Sequence, residues 1–312
     1  MRLQHSLGGK LRQMQMSRVP MFAFVEGVNI DGYVHGNNCD RALRPLGVEY
    51  RLAPADELPG AGGGKSRLKS YYSHLAENGS LVTDFKGKVT VVLFFMDKDV
   101  DDRLGLQINS PHVLYTWFYD VENHVFHEGE VAEAVGSSCS LAPNWCRQEF
   151  GGRGSWQEMA ARLWMEWVRL CFAAKSLKIS GAANYGRPSA VNSIAHLAAD
   201  STLVARFSAK LQSDAQEAGI ADEEWNEALT VVDSEYSSGC WDKVFKGKWY
   251  AHILASQVMA NVPNKIDAKH LTASLVKHVA ATMKFDSPWS LAMQQAIQNL
   301  AVSHGLHATS DE

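Results

Sequence analysis

The stretch FFMDKDVDD (94–102) ends an apolar run in Asp97 and repeats the carboxylate at Asp99. Residues two apart on an extended chain project to the same side. This D-x-D therefore predicts paired hard oxygen donors, the kind Mg2+ takes up when it works on phosphates. Glu26 ends a second apolar run, FAFVEG, and Gly27 behind it lets a ligand or backbone come close. Asp120 and Glu122, in FYDVENH, follow a third. Each acid alone reads as a solvated strand end. Together, Glu26, Asp97/Asp99 and Asp120/Glu122 predict carboxylates carried by three strands to one sheet edge, where open α/β sheets place ligands. Asp101 and Asp102 lie just beyond and read as solvated loop charges.

A second stretch, PGAGGGKS (59–66), comes close to a phosphate-gripping loop. That motif needs G-x-x-x-x-G-K-[S/T], with backbone N–H groups ringing the phosphates. Gly64, Lys65 and Ser66 fit, but Pro59 stands where the first glycine belongs, with a fixed φ and no N–H. The preceding APADELPGA is a poor delivery strand. An NTPase is thus the weaker reading, although glycines before a helix can still hold an anion. Lys65, Arg67 and Lys69 open that helix and are candidates for gripping a nucleic-acid backbone, or else ordinary helix-surface charges.

The elements that must position these residues alternate strand and helix. MFAFVEG (21–27) predicts a buried strand, DGYVHGNNCDRALRPLG (31–47) a helix stopped by Pro45 and Gly47, and VEYRLA (48–53) a strand. A helix over 65–79 closes at Asn78-Gly79. KVTVVLFFMDKD (88–99), continuously apolar and β-branched, predicts a central parallel strand, and HVLYTWFYDVEN (112–123) the next one. Such alternation implies a parallel sheet with helices packed on it. Beyond Pro143 the chain reads as helical: 155–175 as one buried helix, then 188–200, 201–219, 222–236, 267–285 and 287–305, the last with Ser287-Pro288 as cap and first turn. The Gly-rich stretch 136–154 is the expected seam.

The 312 residues, 46% hydrophobic and 21% charged, allow one large domain or two modest ones. No apolar run reaches the ~18–20 residues of a membrane helix. The basic N-terminus lacks the apolar core of a signal peptide and reads as a loose arm. Five cysteines without a C-x-x-C pair fit reduced thiols in a cytoplasm and argue against structural zinc. A net charge of −4 gives no global sign of nucleic-acid binding, so any such face must be local.

A Glu-Gly after the first strand and a D-x-D after a later apolar strand resemble the TOPRIM signature of topoisomerases, primases and OLD-type nucleases. With GGGKSRLKSYY, YDVENH and FKGKWYAHIL (245–254), the ordered set resembles the TOPRIM effector nucleases of PARIS anti-phage systems over most of the chain. The resemblance implies an α/β TOPRIM-type parallel sheet with flanking helices, followed by a mainly α-helical C-terminal region. Residues 1–20 would be a basic arm, 21–142 the nuclease core, and 143–312 a helical region for assembly that contributes Lys248.

It further implies an endonuclease using Mg2+, or Mn2+ in its place, held by Glu26, Asp97 and Asp99, with Glu122 as an additional ligand. Glu26 would double as general base and Lys248 would stand near the scissile phosphate. The family's E-G-x-x-D spacing is missed by one residue at Asp31, and Asp101 is a second outlying ligand candidate. The implied substrate is tRNA. The implied partners are an ABC-type ATPase that stores the effector, a phage-encoded trigger acting through that ATPase, and a second copy after release. No membrane is involved. Composition does not separate tRNA from DNA. The other readings are a DNA-directed OLD-like nuclease and a non-catalytic TOPRIM-fold adaptor or sensor docking on an ATPase.

Other clusters carry less. His124, His127 and Glu128 make H-x-x-H-E, which matches neither zinc-peptidase helix, and read as following a strand. No local signature supports Cys39, Cys139 or Cys146 as a nucleophile. Trp156, Trp164 and Trp167 read as helical core.

Overall fold

The computed structural model describes residues 6–151, 155–179, 183–186, 188–192, 198–261 and 268–306. They form two compact units, one of residues 1–97, 107–116 and 284–312, the other of residues 98–106 and 117–283. In chain order the elements begin α1 (Leu7–Met16), β1 (Met21–Val25), α2 (Ile30–Leu43), β2 (Tyr50–Pro54), α3 (Gly64–Glu77), β3 (Val82–Phe85), β4 (Lys88–Met96) and β5 (Val113–Tyr115). The helices α4 (Val121–Glu128), α5 (Val131–Cys139), α6 (Pro143–Phe150), α7 (Ser155–Arg162) and α8 (Met165–Ser176) follow. Last come α9 (Ser201–Glu217), α10 (Asp222–Ser237), α11 (Lys248–Asn261), α12 (Ala268–Ala281) and α13 (Pro288–Ser303).

The first unit is a five-stranded sheet in the order β2-β1-β4-β3, with β5 also on β4. β1 runs parallel to both β2 and β4, and β5 parallel to β4. Buried on both faces, β1 and most of β4 need the unbroken apolar runs the sequence supplies. Alternate residues sort to opposite faces. Phe22, Phe24, Val92, Phe94 and Met96 pack with Leu68, Tyr71 and Leu75 of α3, while the other face presents Phe95 to His35 of α2, stacked at 4.3 Å. α13 lies on α2, where Gln294 donates to Asn38 Oδ1 at 3.1 Å and Gln298 to the Ala42 carbonyl at 3.2 Å.

Two features depart from the sequence expectation. Over its described residues the N-terminal arm is not loose: Leu7, Leu11 and Met14, at four- and three-residue spacing, press α1 onto the sheet core. Its Lys10 is buried and paired with Glu57 at 3.2 Å. β3 is antiparallel to β4 through a hairpin at Lys86-Gly87, both at positive φ as a two-residue primed turn requires.

In the second unit the single helix expected over 155–175 is two. The Tyr236 hydroxyl donates to the Ala161 carbonyl at 3.1 Å, and the Trp164 N–H turns back to the same oxygen, closing α7 before α8 begins. Trp156, Trp164 and Trp167 are buried as expected. The stretch 136–154, expected as a seam, carries α5 and α6. Of the helix expected over 188–200, residues 188–190 form a 3-10 turn and residues 193–197 lie outside the described set. Among the described residues no helix is long and apolar enough to cross a membrane.

His35 supplies a pH handle. It is 2% exposed, and burial lowers its pKa from the ordinary 6.5 to about 4, with nearby Asp31 opposing. Between those values the unfolded chain binds the extra proton, so stability should fall as pH drops from 6.5 towards 4, by on the order of 3 kcal/mol at most. The unfolding free energy of wild type minus that of His35→Leu, read by urea titrations, should fall across that window as pH drops, and a constant difference would remove His35 as the cause.

Candidate functional site

Glu26 follows the last residue of β1 and Asp97 the last of β4. The two strands are parallel neighbours, with Val25 opposite Phe95, so these acids emerge side by side at the C-terminal edge of the sheet. The Asp97 amide faces the Glu26 carboxylate at 3.4 Å, a long, weak contact. Asp97 is 4% exposed and Glu26 half-buried. Asp31, in the first turn of α2, accepts from the Gly27 amide at 3.1 Å. A Cβ on Gly27 would strike that carboxylate, which explains the Glu-Gly pair. The outlying Asp31 therefore braces the turn that carries Glu26.

The Gly-rich loop has a steric explanation that needs no nucleotide. Gly64 starts α3 directly against Glu26, and a Cβ there would overlap the Glu26 carbonyl oxygen. A 3-10 turn, Ala55–Glu57, intervenes between β2 and the loop, so no strand leads straight into it. Arg67 is paired with Asp56 at 3.0 Å. Gly64→Ala should push Glu26 out of register, cutting any activity of this edge at least about tenfold with far-UV circular dichroism unchanged. Full activity in that variant would mean Glu26 needs no such positioning.

Asp99 does not lie on an extended chain. β4 ends at Met96, and Asp99 is left-handed at φ 52°, a conformation aspartate tolerates, with its amide donating to the Tyr119 carbonyl at 2.6 Å. The extended backbone assumed for D-x-D therefore ends before Asp99, which belongs to the second unit. Asp101 is buried, 3.8 Å from Lys175, and Asp102 lies 3.5 Å from Lys98, so neither is a freely solvated loop charge.

The third strand end is also corrected. β5 stops at Tyr115, and Asp120 with Asn123 forms a reciprocal capping box that starts α4 at once. Glu122, His124 and His127 accordingly sit on a helix. Glu122 lies 3.8 Å from Lys248, the half-exposed first residue of α11.

Beneath that ion pair is a buried clamp. Asp120 Oδ1 accepts from the amides of Asn123 (3.2 Å) and Gly247 (3.1 Å), and Oδ2 faces the Lys248 amide at 3.4 Å. One carboxylate thus serves two helix starts. Asn123 uses its whole amide: Oδ1 accepts from Asp120 and Gly247, and Nδ2 donates to Asp242 and the Phe245 carbonyl. Asp242 also accepts from Tyr250 at 2.7 Å. Burial pushes the Asp120 carboxyl up to about 6, against the pull of Lys248. The D-x-x-N spacing of DVEN signals the cap, but nothing local signals its second customer at Gly247.

Hard carboxylate oxygens at Glu26 and Asp97 fit Mg2+ or Mn2+, which need only one or two protein carboxylates alongside phosphate and water oxygens. Among the described residues no group of three or more His, Cys, Asp or Glu stands in metal-holding geometry. No protein-family model matches the chain, and no curated protein matches it.

Proposed function

We propose that this chain is a TOPRIM-type, divalent-metal-dependent endonuclease, a hydrolase of phosphodiester bonds. The observation that supports it is the pairing of Glu26 and Asp97 on neighbouring parallel strands, with Asp31 bracing the turn between β1 and α2. Glu26 and Asp97 would hold Mg2+, which would supply Lewis-acid polarisation of a scissile phosphate and a lowered pKa for an attacking water. Glu26, the more open of the two acids, is the group suited to take the water's proton. The motif set, and not the geometry of either unit, assigns Lys248 to the developing phosphate charge. The motif set extends the proposal to tRNA as substrate, to storage by an ABC-type ATPase until a phage protein releases the effector, and to action as a homodimer.

The test incubates purified chain with tRNA and with duplex DNA, in Mg2+, in Mn2+ and in EDTA, and resolves the products on a gel. Discrete tRNA fragments that vanish in EDTA are expected. Fragments from DNA alone would redirect the reading to a DNA nuclease. Neither substrate cleaved, with or without the trigger and ATPase, would leave an adaptor subunit. ATP turnover abolished by Lys65→Ala would point to an NTPase.

A further inference from the structure

We infer that the exposed face of α13 is a self-association surface, pairing with the same face of a second copy, antiparallel about a two-fold axis level with Ile297. Among the described α-helices, α13 alone contains no Asp, Glu, Lys or Arg, in a chain that is 21% charged. Its inner side is fixed within the first unit. Trp289, Met293, Ile297 and Leu300 are buried, and Gln294 and Gln298 bind α2.

Beyond Pro288 the exposed positions of α13 are Leu291, Ala292, Gln295, Asn299, Val302 and Ser303. Leu291 is 53% exposed and Val302 51%. One exposed leucine or valine is ordinary on a surface. A whole helix face without a charge is not. Outward helix faces normally carry the charged side chains, and depletion of charge marks the centre of protein interfaces.

The pattern also says what covers the face. The six positions are symmetric about 297: 291 mirrors 303, 292 mirrors 302, and 295 mirrors 299. At 3.6 residues per turn they sort into two flanks, Leu291 with Val302 and Ala292 with Ser303, and Gln295 and Asn299 run between. A two-fold axis across the face reverses the chain direction and keeps each flank opposite itself. Leu291 then meets Val302 of the second copy, Ala292 meets Ser303 of the second copy, and Gln295 meets Asn299 of the second copy. The bulky flank supplies apolar contact, and the small flank lets the backbones approach. Gln295 donates to Asn299 within the helix at 2.8 Å, and the further donors and acceptors of both amides match the same pair on the other copy. An unrelated partner would need no such symmetry. One helix face falls well short of the ~800 Å² per partner of a standard complex, so the dimer is a weak one, with a Kd on the order of micromolar. That the pair serves cleavage rests on the nuclease reading above; the surface itself does not.

The test is sedimentation velocity of the full chain over a concentration series, with Mg2+-dependent cleavage measured in parallel. A concentration-dependent dimer is expected. Leu291→Lys and Val302→Glu should each weaken it at least about tenfold, since each sets a charge against an apolar side chain. Both changes in one chain set Lys against Glu in both symmetric contacts and should restore most of the lost affinity. Both positions are more than half exposed, so far-UV circular dichroism should match wild type in all three variants. A wild type that stays monomeric, single variants that dimerise like wild type, or a double variant no tighter than either single one would overturn the inference. Dimerisation that follows the charge pattern while nothing is cleaved would leave the surface standing and sink the nuclease reading. Cleavage by a chain that stays monomeric would do the reverse.

Discussion

Glu26→Gln should lower Mg2+-dependent cleavage by at least about a hundredfold while leaving the thermal midpoint unchanged. Glutamine keeps the length, the shape and one acceptor oxygen facing the Asp97 amide, so the end of β1 has no reason to move. What it removes is the negative charge that would hold a divalent ion and accept a proton. Asp97→Asn should behave similarly at the end of β4. Because the two acids would serve one ion, the double variant should be little worse than either single one, the non-additivity expected of groups acting as a unit. Rates measured for all four proteins over a Mg2+ titration would show it. Cleavage by Glu26→Gln at the wild-type rate would remove this edge from consideration as the active centre.

Asp120→Ala should destabilise the second unit by about 3 kcal/mol or more, read as a lower urea midpoint. The change strands the buried Asn123 amide, leaves the Lys248 amide without its long contact and takes one of two acceptors from the Gly247 amide, where an ordinary cap loses one helix start. Asp120→Asn retains an acceptor and sheds the charge that burial disfavours, so its loss should be much smaller, about 1 kcal/mol. Gly247→Ala should resemble Asp120→Ala, since a Cβ there would drive into the Asn123 amide and the Asp120 carboxylate. If Asp120→Ala unfolds at the wild-type midpoint, the clamp is not what holds these helix starts.

Much of the fold was legible because its signals are local. The apolar run of β4, the Pro45-Gly47 stop of α2, the Asn78-Gly79 end of α3 and the Ser287-Pro288 start of α13 each depend on a few neighbouring residues. So did Glu26 and Asp97, since an acid at the end of a buried strand marks the sheet edge wherever the strand pairs. The Lys86-Gly87 hairpin and the α1 stripe are signals of the same local kind.

Other features were decided only by tertiary structure. Whether Glu26 and Asp97 become neighbours depends on β1 pairing with β4 across the inserted β2 and β3. Gly64 is required by the backbone of Glu26, not by a phosphate, and Gly247 by a cap on another helix. Propensity and periodicity act over a turn or two of chain. The close approach of backbone to backbone, and the sharing of one carboxylate by two helix starts, exist only once distant segments have packed together.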